Sequence, residues 1–183
     1  MTAADMVRTI RWAAALGWNP GQGDGTHFLA VDPGGFLAAE VGGRMVGAIG
    51  APRFGPAFAF AGLYIVAPEH RGGAVGLCLA RAALELAGDR VIGTDGVLER
   101  EEAYARLGFT RAHLHQRHSG LPRGAAHPAV ADLGAGDAEA LVALDDACFP
   151  GDRRAFMRGW LGAPHLTKVS RDDAGTVDGF AVA

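Results

Sequence analysis

The chain has 183 residues, of which 49% are hydrophobic and 20% charged, and its formal net charge is −3. These values are typical of a globular protein of one or two domains, and the absence of excess positive charge argues against a nucleic-acid or membrane-surface protein. No apolar run approaches the roughly 20 residues that a membrane-spanning helix needs. We expect Cys78 and Cys148 to pack as small hydrophobic residues, and we predict a reducing cytoplasm as the location.

The first 50 residues predict two helices and a hairpin. Thr2 and Asp5 have the spacing of a capping box, which favours a helix that ends before Pro20. A short helix or loop is expected for residues 24–31. Strand-like runs flank the Gly-Gly pair at 42–43, and such a pair tolerates the positive φ angles of a tight β-turn.

A glycine-rich turn follows the next strand, which is expected to be central in its sheet. Residues 65–88, "IVAPEHRGGAVGLCLARAALELAG", join this strand to a helical pattern. A nucleotide P-loop would place a lysine after its last glycine, but Leu77 follows Gly76, and the glycines also lack the spacing of a Rossmann fingerprint. The remaining interpretation is a pyrophosphate site, in which Arg71 leads into the glycine turn (residues 72–76) and the helix dipole faces the anion.

The chain then predicts a strand at 90–96, a helix closed by Gly108 and a strand at 109–119. Proline and glycine mark a linker at residues 121–127. We therefore expect one domain at residues 1–120 and a further unit at residues 128–183.

The unit at 128–183 resembles the start of the first domain. It predicts two helices and a hairpin, and "VDGFAVA" at 177–183 aligns with "MVGAIGA" at 45–51, which places Gly179 on Gly47. In the first domain the glycine turn comes next, whereas the second copy stops before any counterpart of it. We interpret residues 128–183 as the incomplete start of a second similar unit that carries no site of its own.

Two motifs are similar to those of the GCN5-related N-acetyltransferase (GNAT) superfamily. They are V-x-P-E-x-R-G-x-x-V-G at 66–76 and A-Y-A-R-L-G-F at 103–109, and residues 2–118 follow the order of elements in that family. Ala74 stands where the family usually has glycine, Val97 stands near a usual asparagine, and the usual first strand is missing. The chain resembles a bacterial subgroup in which a complete GNAT domain precedes a divergent one. The implied fold is α/β (α+β), with a mixed, mostly antiparallel sheet flanked by helices.

The resemblance implies that acetyl-CoA binds in a cleft where two neighbouring strands separate. The end of the central strand would pair with the pantetheine through its backbone, like an added strand, and the turn would hold the pyrophosphate through its N–H groups. The implied cofactor-binding residues are Tyr64, Ile65, Val66, Arg71, Gly72, Gly73, Ala74, Val75, Gly76 and Leu77.

The resemblance also implies two catalytic candidates. Tyr104 occupies the position where the family places a tyrosine facing the thioester sulfur, and the alternative is a helix aromatic packed on the sheet. Asp95 follows a strand that should point into the cleft, so it could act as the base, or it could cap the following helix. A water relay without a single base is a further alternative.

Three histidines follow, but we predict no metal site. On a strand, His113 and His115 share a face and His118 lies on the other, so they should not bind one ion together. The expected function is transfer of an acetyl group from acetyl-CoA to a primary amine, on a small molecule or an amino terminus. The alternative is a non-catalytic acyl-CoA-binding or regulatory module. The sequence leaves the oligomeric state open.

Overall fold

The computed structural model describes residues 1–21, 23–116, 118, 120–121, 124–162 and 165–183. Its helices are α1 (Ala3–Ala15), α2 (Asp24–Val31), α3 (Ala74–Ala87), α4 (Glu101–Arg106), α5 (Ala138–Cys148) and α6 (Arg154–Trp160). Its strands are β1 (Phe36–Val41), β2 (Arg44–Gly50), β3 (Arg53–Phe54), β4 (Phe58–Val66), β5 (Val91–Thr94), β6 (Val130–Asp132), β7 (Thr167–Arg171) and β8 (Val177–Val182). Short 3₁₀ turns lie at Pro33–Gly35, Pro68–His70 and Leu98–Arg100.

Helix α1 begins at the predicted capping box. The Thr2 hydroxyl accepts a hydrogen bond from the Asp5 N–H at 3.2 Å, and the Asp5 carboxylate accepts one from the Thr2 N–H at 2.8 Å. A cap of this kind stabilises a helix by about 1 kcal/mol. Met6 and Ala13 lie buried on one side of α1, which packs against β4.

The first sheet has the strand order β1-β2-β4-β3, with β5 beside β4. The hairpin of β1 and β2 turns at residues 42–43, whose φ angles of +58° and +74° explain why both positions are glycine. All pairs in this sheet are antiparallel except β4 with β5, which is parallel. The sheet is therefore mixed and mostly antiparallel, as predicted.

Strand β4 lies at the centre of this sheet and has different neighbours along its length. On one edge it pairs with β3 and then with β2. On the other edge it pairs with β5 only from Phe58 to Ala61, where β5 ends at Thr94. Residues 62–66 of β4 have no strand on that side among the described residues, and we call this stretch the open edge of β4.

Helix α3 covers the sheet and leaves its N-terminus at the end of β4. Leu79 and Ala83 of α3 form a buried cluster with Ile49 and Ala51. Their spacing of four residues places both on one face of the helix, which explains why the helix packs with this face inward. The glycine turn is held at the sheet edge as a consequence.

A second, three-stranded antiparallel sheet has the order β6-β7-β8. Its hairpin matches the first hairpin in detail. Gly47 pairs with Ala39 and Gly179 pairs with Ser170, and in both hairpins the register shifts immediately after the paired residue. The sequence alignment of Gly47 with Gly179 therefore corresponds to an equivalent position in the two hairpins.

We call residues 1–120 the first region and residues 128–183 the second region. The second region packs on α2, β3 and the start of β4. The ring of Phe28 in α2 stacks on Phe156 in α6, with centroids 5.6 Å apart and planes 12° apart. Phe149 makes edge-on contacts with Phe54 and Phe58, at 5.3 and 5.4 Å. Apolar contact at these two places joins the two sheets.

Some sequence predictions were wrong or incomplete. Residues 109–116 form no strand, and the rest of the predicted strand at 109–119 lies partly outside the described residues. The short strands β3 and β6 were missed. Cys78 and Cys148 are both exposed, so they do not pack as core residues. No helix of the described residues is long and apolar enough to cross a membrane.

Candidate active site

The glycine turn connects the end of β4 to α3. Gly72 has a φ of +77°, a conformation that side-chain-bearing residues rarely adopt, so the backbone itself requires glycine there. Gly73 is the N-cap of α3 and has an ordinary φ of −102°. A Cβ at Gly73 would meet only the His70 carbonyl oxygen, at 3.9 Å. Neither backbone strain nor packing within the chain explains the glycine at 73.

The N-terminus of α3 is open to a ligand. No side chain caps it, and its first turn carries no acidic residue. The first N–H groups of a helix have no partner within the helix, and together with the helix dipole they attract anions. Residues 74–77 thus present backbone donors beside the exposed residues 72–73.

Arg71 lies between the turn and β4. Its Nε donates a hydrogen bond of 2.8 Å to the carbonyl of Val66, which fixes the exposed side chain across the end of the strand. A groove of about 630 Å³ opens at the same end, between α1, the tip of the first hairpin and residues 65–71. Arg8, Arg44 and Arg71 line it, against a single carboxylate, that of Glu69. This charge balance suits an anionic ligand.

A bulge interrupts β4 at the start of its open edge. The register with β2 shifts between Ala48 and Gly50, and Leu63 opposite this shift has a φ of +51°. A non-glycine residue in this region is uncommon and costs on the order of 1 kcal/mol or more. The bulge bends β4 where β5 ends, so it helps to separate the two strands. No signal in the sequence pointed to Leu63.

We call the space between the end of β5 and the open edge of β4 the gap. Two tyrosines lie beside it, and each packs against a glycine. A Cβ at Gly76 would lie 2.7 Å from the Tyr64 hydroxyl, and one at Gly96 would lie 2.5 Å from Cε2 of Tyr104. The glycines are thus required for close approach of the rings. Burial, reinforced by nearby Tyr104 and opposed by Arg100, raises the pKa of Tyr64. The two tyrosines therefore interact at the same end of the sheet.

Tyr104 is partly buried on α4, and its ring meets that of Phe109 edge-on at 6.3 Å. The structure thus brings Tyr104 to the region between the end of β5 and the open edge of β4. Of the predicted cofactor residues, Ile65 is buried, whereas Tyr64 and Val66 are accessible from the α3 side, where both approach Gly76.

Asp95 follows β5 directly and is 69% exposed. It caps no helix, because the N-cap of the next 3₁₀ turn is Val97 and that of α4 is Arg100. Its Oδ1 lies 3.4 Å from Nδ1 of His115. The Nε2 atoms of His113 and His115 are 2.5 Å apart. Sequence analysis placed His113 and His115 on one face but did not foresee the contact of His115 with Asp95.

The described residues contain no group of three or more His, Cys, Asp or Glu side chains arranged to hold a metal ion. Among the described residues, the chemical groups near the ends of β4 and β5 include backbone donors, two phenols, one carboxylate and two imidazoles. Such a set can bind an anion and exchange protons with a ligand.

Comparisons with known proteins agree with this geometry. A family model described as "Acetyltransferase (GNAT) family" matches residues 5–109, and one described as "Acetyltransferase (GNAT) domain" matches residues 141–183. The holothin acyltransferase of Pseudoalteromonas sp. (strain SANK 73390) is 30% identical over 157 residues, which cover 82% of this chain and 52% of that protein. The chain thus spans about half the length of this curated relative.

Two solved structures share the fold along the whole chain. A Pyrococcus horikoshii protein described as a candidate acetyltransferase has a TM-score of 0.73 at 17% identity, with 66% of that protein covered. A tandem GNAT protein from the clavulanic acid biosynthesis pathway has a TM-score of 0.55 at 18% identity, with 72% covered. With its fold, its two separated strands and a family model that matches more than half of its length, the chain belongs to the GCN5-related N-acetyltransferase (GNAT) superfamily.

Proposed function

We propose that this protein is an N-acetyltransferase that transfers an acetyl group from acetyl-CoA to a primary amine by direct attack in a ternary complex. The observation that carries the proposal is the open edge of β4, where pairing with β5 stops at Ala61 and Thr94 while β4 continues to Val66. A free strand edge offers backbone donors and acceptors to an extended ligand with amide groups. The pantetheine arm of CoA is such a ligand.

The glycine turn supports this orientation of CoA. Pantetheine along the open edge would lead the pyrophosphate to residues 72–77, where the N-terminus of α3 supplies backbone donors. Gly73 fits this role because neither its backbone conformation nor contacts with the described residues require a glycine there, whereas a bound pyrophosphate would. Arg71 contributes positive charge, while its Nε stays bonded to Val66. The cofactor-binding residues are therefore Tyr64 to Val66 and residues 71–77.

The chemistry requires two proton movements. An alkyl amine with a pKa of about 10.4 costs about 4.6 kcal/mol to deprotonate at pH 7, and an α-amine about 1 kcal/mol. The departing CoA thiolate must also be stabilised. We assign this second role to the hydroxyl of Tyr104, as a hydrogen bond that strengthens while charge develops on sulfur.

The acceptor is proposed to be a small molecule with an amino group. The curated relative is named a holothin acyltransferase, and its similarity to 82% of this chain supports an acceptor of the same class here. We also propose that residues 1–120 form the catalytic domain, residues 121–127 a linker and residues 128–183 part of a second, divergent unit. The matching registers of the two hairpins support this division.

Thiol release from acetyl-CoA with a panel of amines tests the proposal, together with calorimetry of CoA binding. We expect binding at one site and amine-dependent release of CoA. Binding without turnover of any amine would instead support an acyl-CoA-binding module. Absence of CoA binding would reject both functions.

A further inference from the structure

A chain of three side chains lies at the end of β5. Asp95 contacts Nδ1 of His115 at 3.4 Å, and Nε2 of His115 faces Nε2 of His113 at 2.5 Å, with ring centroids 4.5 Å apart. We call Asp95, His115 and His113 the relay cluster. All three side chains reach solvent, so a substrate can approach them.

The segment that carries the histidines is attached at two points. Arg111 pairs with Glu101 of α4 at 3.4 Å, and His115 pairs with Asp95 after β5. These contacts hold residues 111–115 across the space between α4 and the end of β5. Gly96, the neighbour of Asp95, touches the ring of Tyr104. The relay cluster is therefore attached to the chain one residue before the glycine that packs on Tyr104.

The contacts select one tautomer for each neutral ring. Nδ1 of His115 lies 3.4 Å from the carboxylate of Asp95, which can only accept, so the tautomer with the proton on Nδ1 is the one that this contact favours. In the neutral ring Nε2 of His115 then has a lone pair, and Nε2 of His113 must donate to it. Nδ1 of His113 is left as the proton-accepting atom of the cluster.

This arrangement can take up one proton without losing a contact. When Nδ1 of His113 gains a proton, its Nε2 proton can shift to Nε2 of His115, and the positive charge then lies beside Asp95. The hydrogen bond between the two Nε2 atoms persists in the charged state, and the carboxylate of Asp95 then lies 3.4 Å from a ring nitrogen of the charged imidazole. Among the described residues, the ion pairs recorded at this segment are His115 with Asp95 and Arg111 with Glu101, and the charges of the second pair neutralise each other.

We propose that the relay cluster is the proton acceptor for the attacking amine, with His113 receiving the proton and Asp95 acting as a positioning residue through His115. This inference rests on the proposed N-acetyltransferase function. In the step, the substrate ammonium loses one N–H proton to Nδ1 of His113, and the freed nitrogen lone pair then attacks the thioester carbon. The carbon–sulfur bond then breaks, and the departing sulfur, whose developing charge Tyr104 stabilises, takes up the second proton that the new amide nitrogen must lose, so that CoA leaves as the thiol.

The test compares two acceptors that differ in charge. An alkylamine is protonated at neutral pH, whereas an arylamine is already neutral and needs no deprotonation before attack. For His113→Gln and His115→Gln we expect kcat/KM to fall about 10²-fold with the alkylamine and only a few-fold with the arylamine. For Asp95→Asn we expect kcat/KM with the alkylamine to fall about tenfold. In all three variants this loss of kcat/KM should become smaller as the pH rises toward about 9, because more of the alkylamine is then already neutral.

His127→Gln is the matched control, because it removes an exposed histidine whose ring only accepts a 3.3 Å hydrogen bond from the Ala129 N–H. It should leave both rates unchanged. Free imidazole added to His113→Ala should restore part of the alkylamine rate, which a structural role would not allow.

Equal losses with the two amines, no loss with the alkylamine, or weakened CoA binding in the histidine variants would overturn the relay. The proposed function fails separately, if the unmodified protein acetylates neither amine.

Discussion

The two hairpins of this protein share a register but have different neighbours. In the first, the outer edge of β2 pairs with β4, with Gly47 opposite Val66, and β4 leads directly into the glycine turn. In the second, β8 pairs only with β7 among the described residues. The hairpin is therefore common to both regions, and the proposed site lies in the elements attached to the first hairpin. The first region is expected to carry the site and the second to contribute stability.

The largest effect expected in the second region is on stability. Phe156→Ala removes a ring that is 8% exposed and stacks on Phe28 between the regions. We expect the free energy of unfolding to fall by about 3–5 kcal/mol, because the substitution leaves a cavity in the core. Urea unfolding measures this loss. CoA affinity of the folded protein should not change, and a large change would remove the distinction between the regions.

Leu166→Ala is the control for this substitution, since Leu166 is 72% exposed in the same region. Its free energy of unfolding should stay within about 0.5 kcal/mol of the unmodified protein. An equal loss in both variants would show that the stacking contact has no special part in joining the sheets.

A charge placed at the N-terminus of α3 should disrupt the first region. Gly73→Glu adds a carboxylate where the pyrophosphate is proposed to bind, and the added Cβ has space in the unliganded protein. We expect CoA affinity to fall more than about 10²-fold, because like charges repel and the backbone donors are covered. Calorimetry measures this loss.

Gly136→Glu adds the same charge to the second region, at a glycine whose Cβ would meet no described residue within 4 Å. It should leave CoA affinity unchanged. If both variants bind CoA equally well, the site does not lie at the glycine turn.

Tyr104→Phe tests the chemistry of the first region without changing its shape. The ring and its contact with Phe109 remain, and only the hydroxyl is lost. We expect kcat to fall roughly 10²-fold with CoA affinity nearly unchanged, because the contact matters mainly as charge develops on sulfur. A normal kcat with a lowered Tm would instead make Tyr104 a packing residue.

The smallest expected effect is on the pH dependence of the free energy of unfolding, which we compare for one ion pair in each region. Arg53 donates three hydrogen bonds to buried Asp32 and lowers the pKa of that carboxyl. Since the folded pKa lies below the unfolded value of about 3.9, this stabilisation is complete above that pH and is lost as pH falls through the folded pKa. Asp32→Asn should therefore cost about 1–3 kcal/mol at pH 7 and progressively less in acid, as measured by urea unfolding.

Asp137 is the counterpart in the second region, where a hydrogen bond from Arg171 at 2.5 Å lowers its pKa. Asp137→Asn should change stability in the same direction and over the same acidic range. A stability difference that grows in acid, for either variant, would contradict the assigned pKa directions.

Much of the fold was predictable because its signals are local. The Thr2–Asp5 capping box, the Gly-Gly turn at 42–43 and the positive-φ glycine at 72 each act within a few residues. The candidate site was predictable as far as the glycine turn and Tyr104, which lie in recognisable motifs. The predicted strand at 109–119 failed in its described part because alternating residues do not form a strand without a neighbour to pair with, and no strand of the described residues pairs with 109–116.

The sequence by itself determined the order of the elements, the central position of β4 and the glycine turn before α3. Only the tertiary structure decided how far β5 runs along β4, that Leu63 forms a bulge, and that Tyr64 and Tyr104 pack against glycines. It also brought Asp95 to His115, although the two residues are distant in the chain. This contact depends on the path that residues 111–115 take past the end of β5. Local patterns specify dihedral angles and buried faces, whereas such contacts depend on the packing of many elements at once, and this sets the limit of what the sequence could predict.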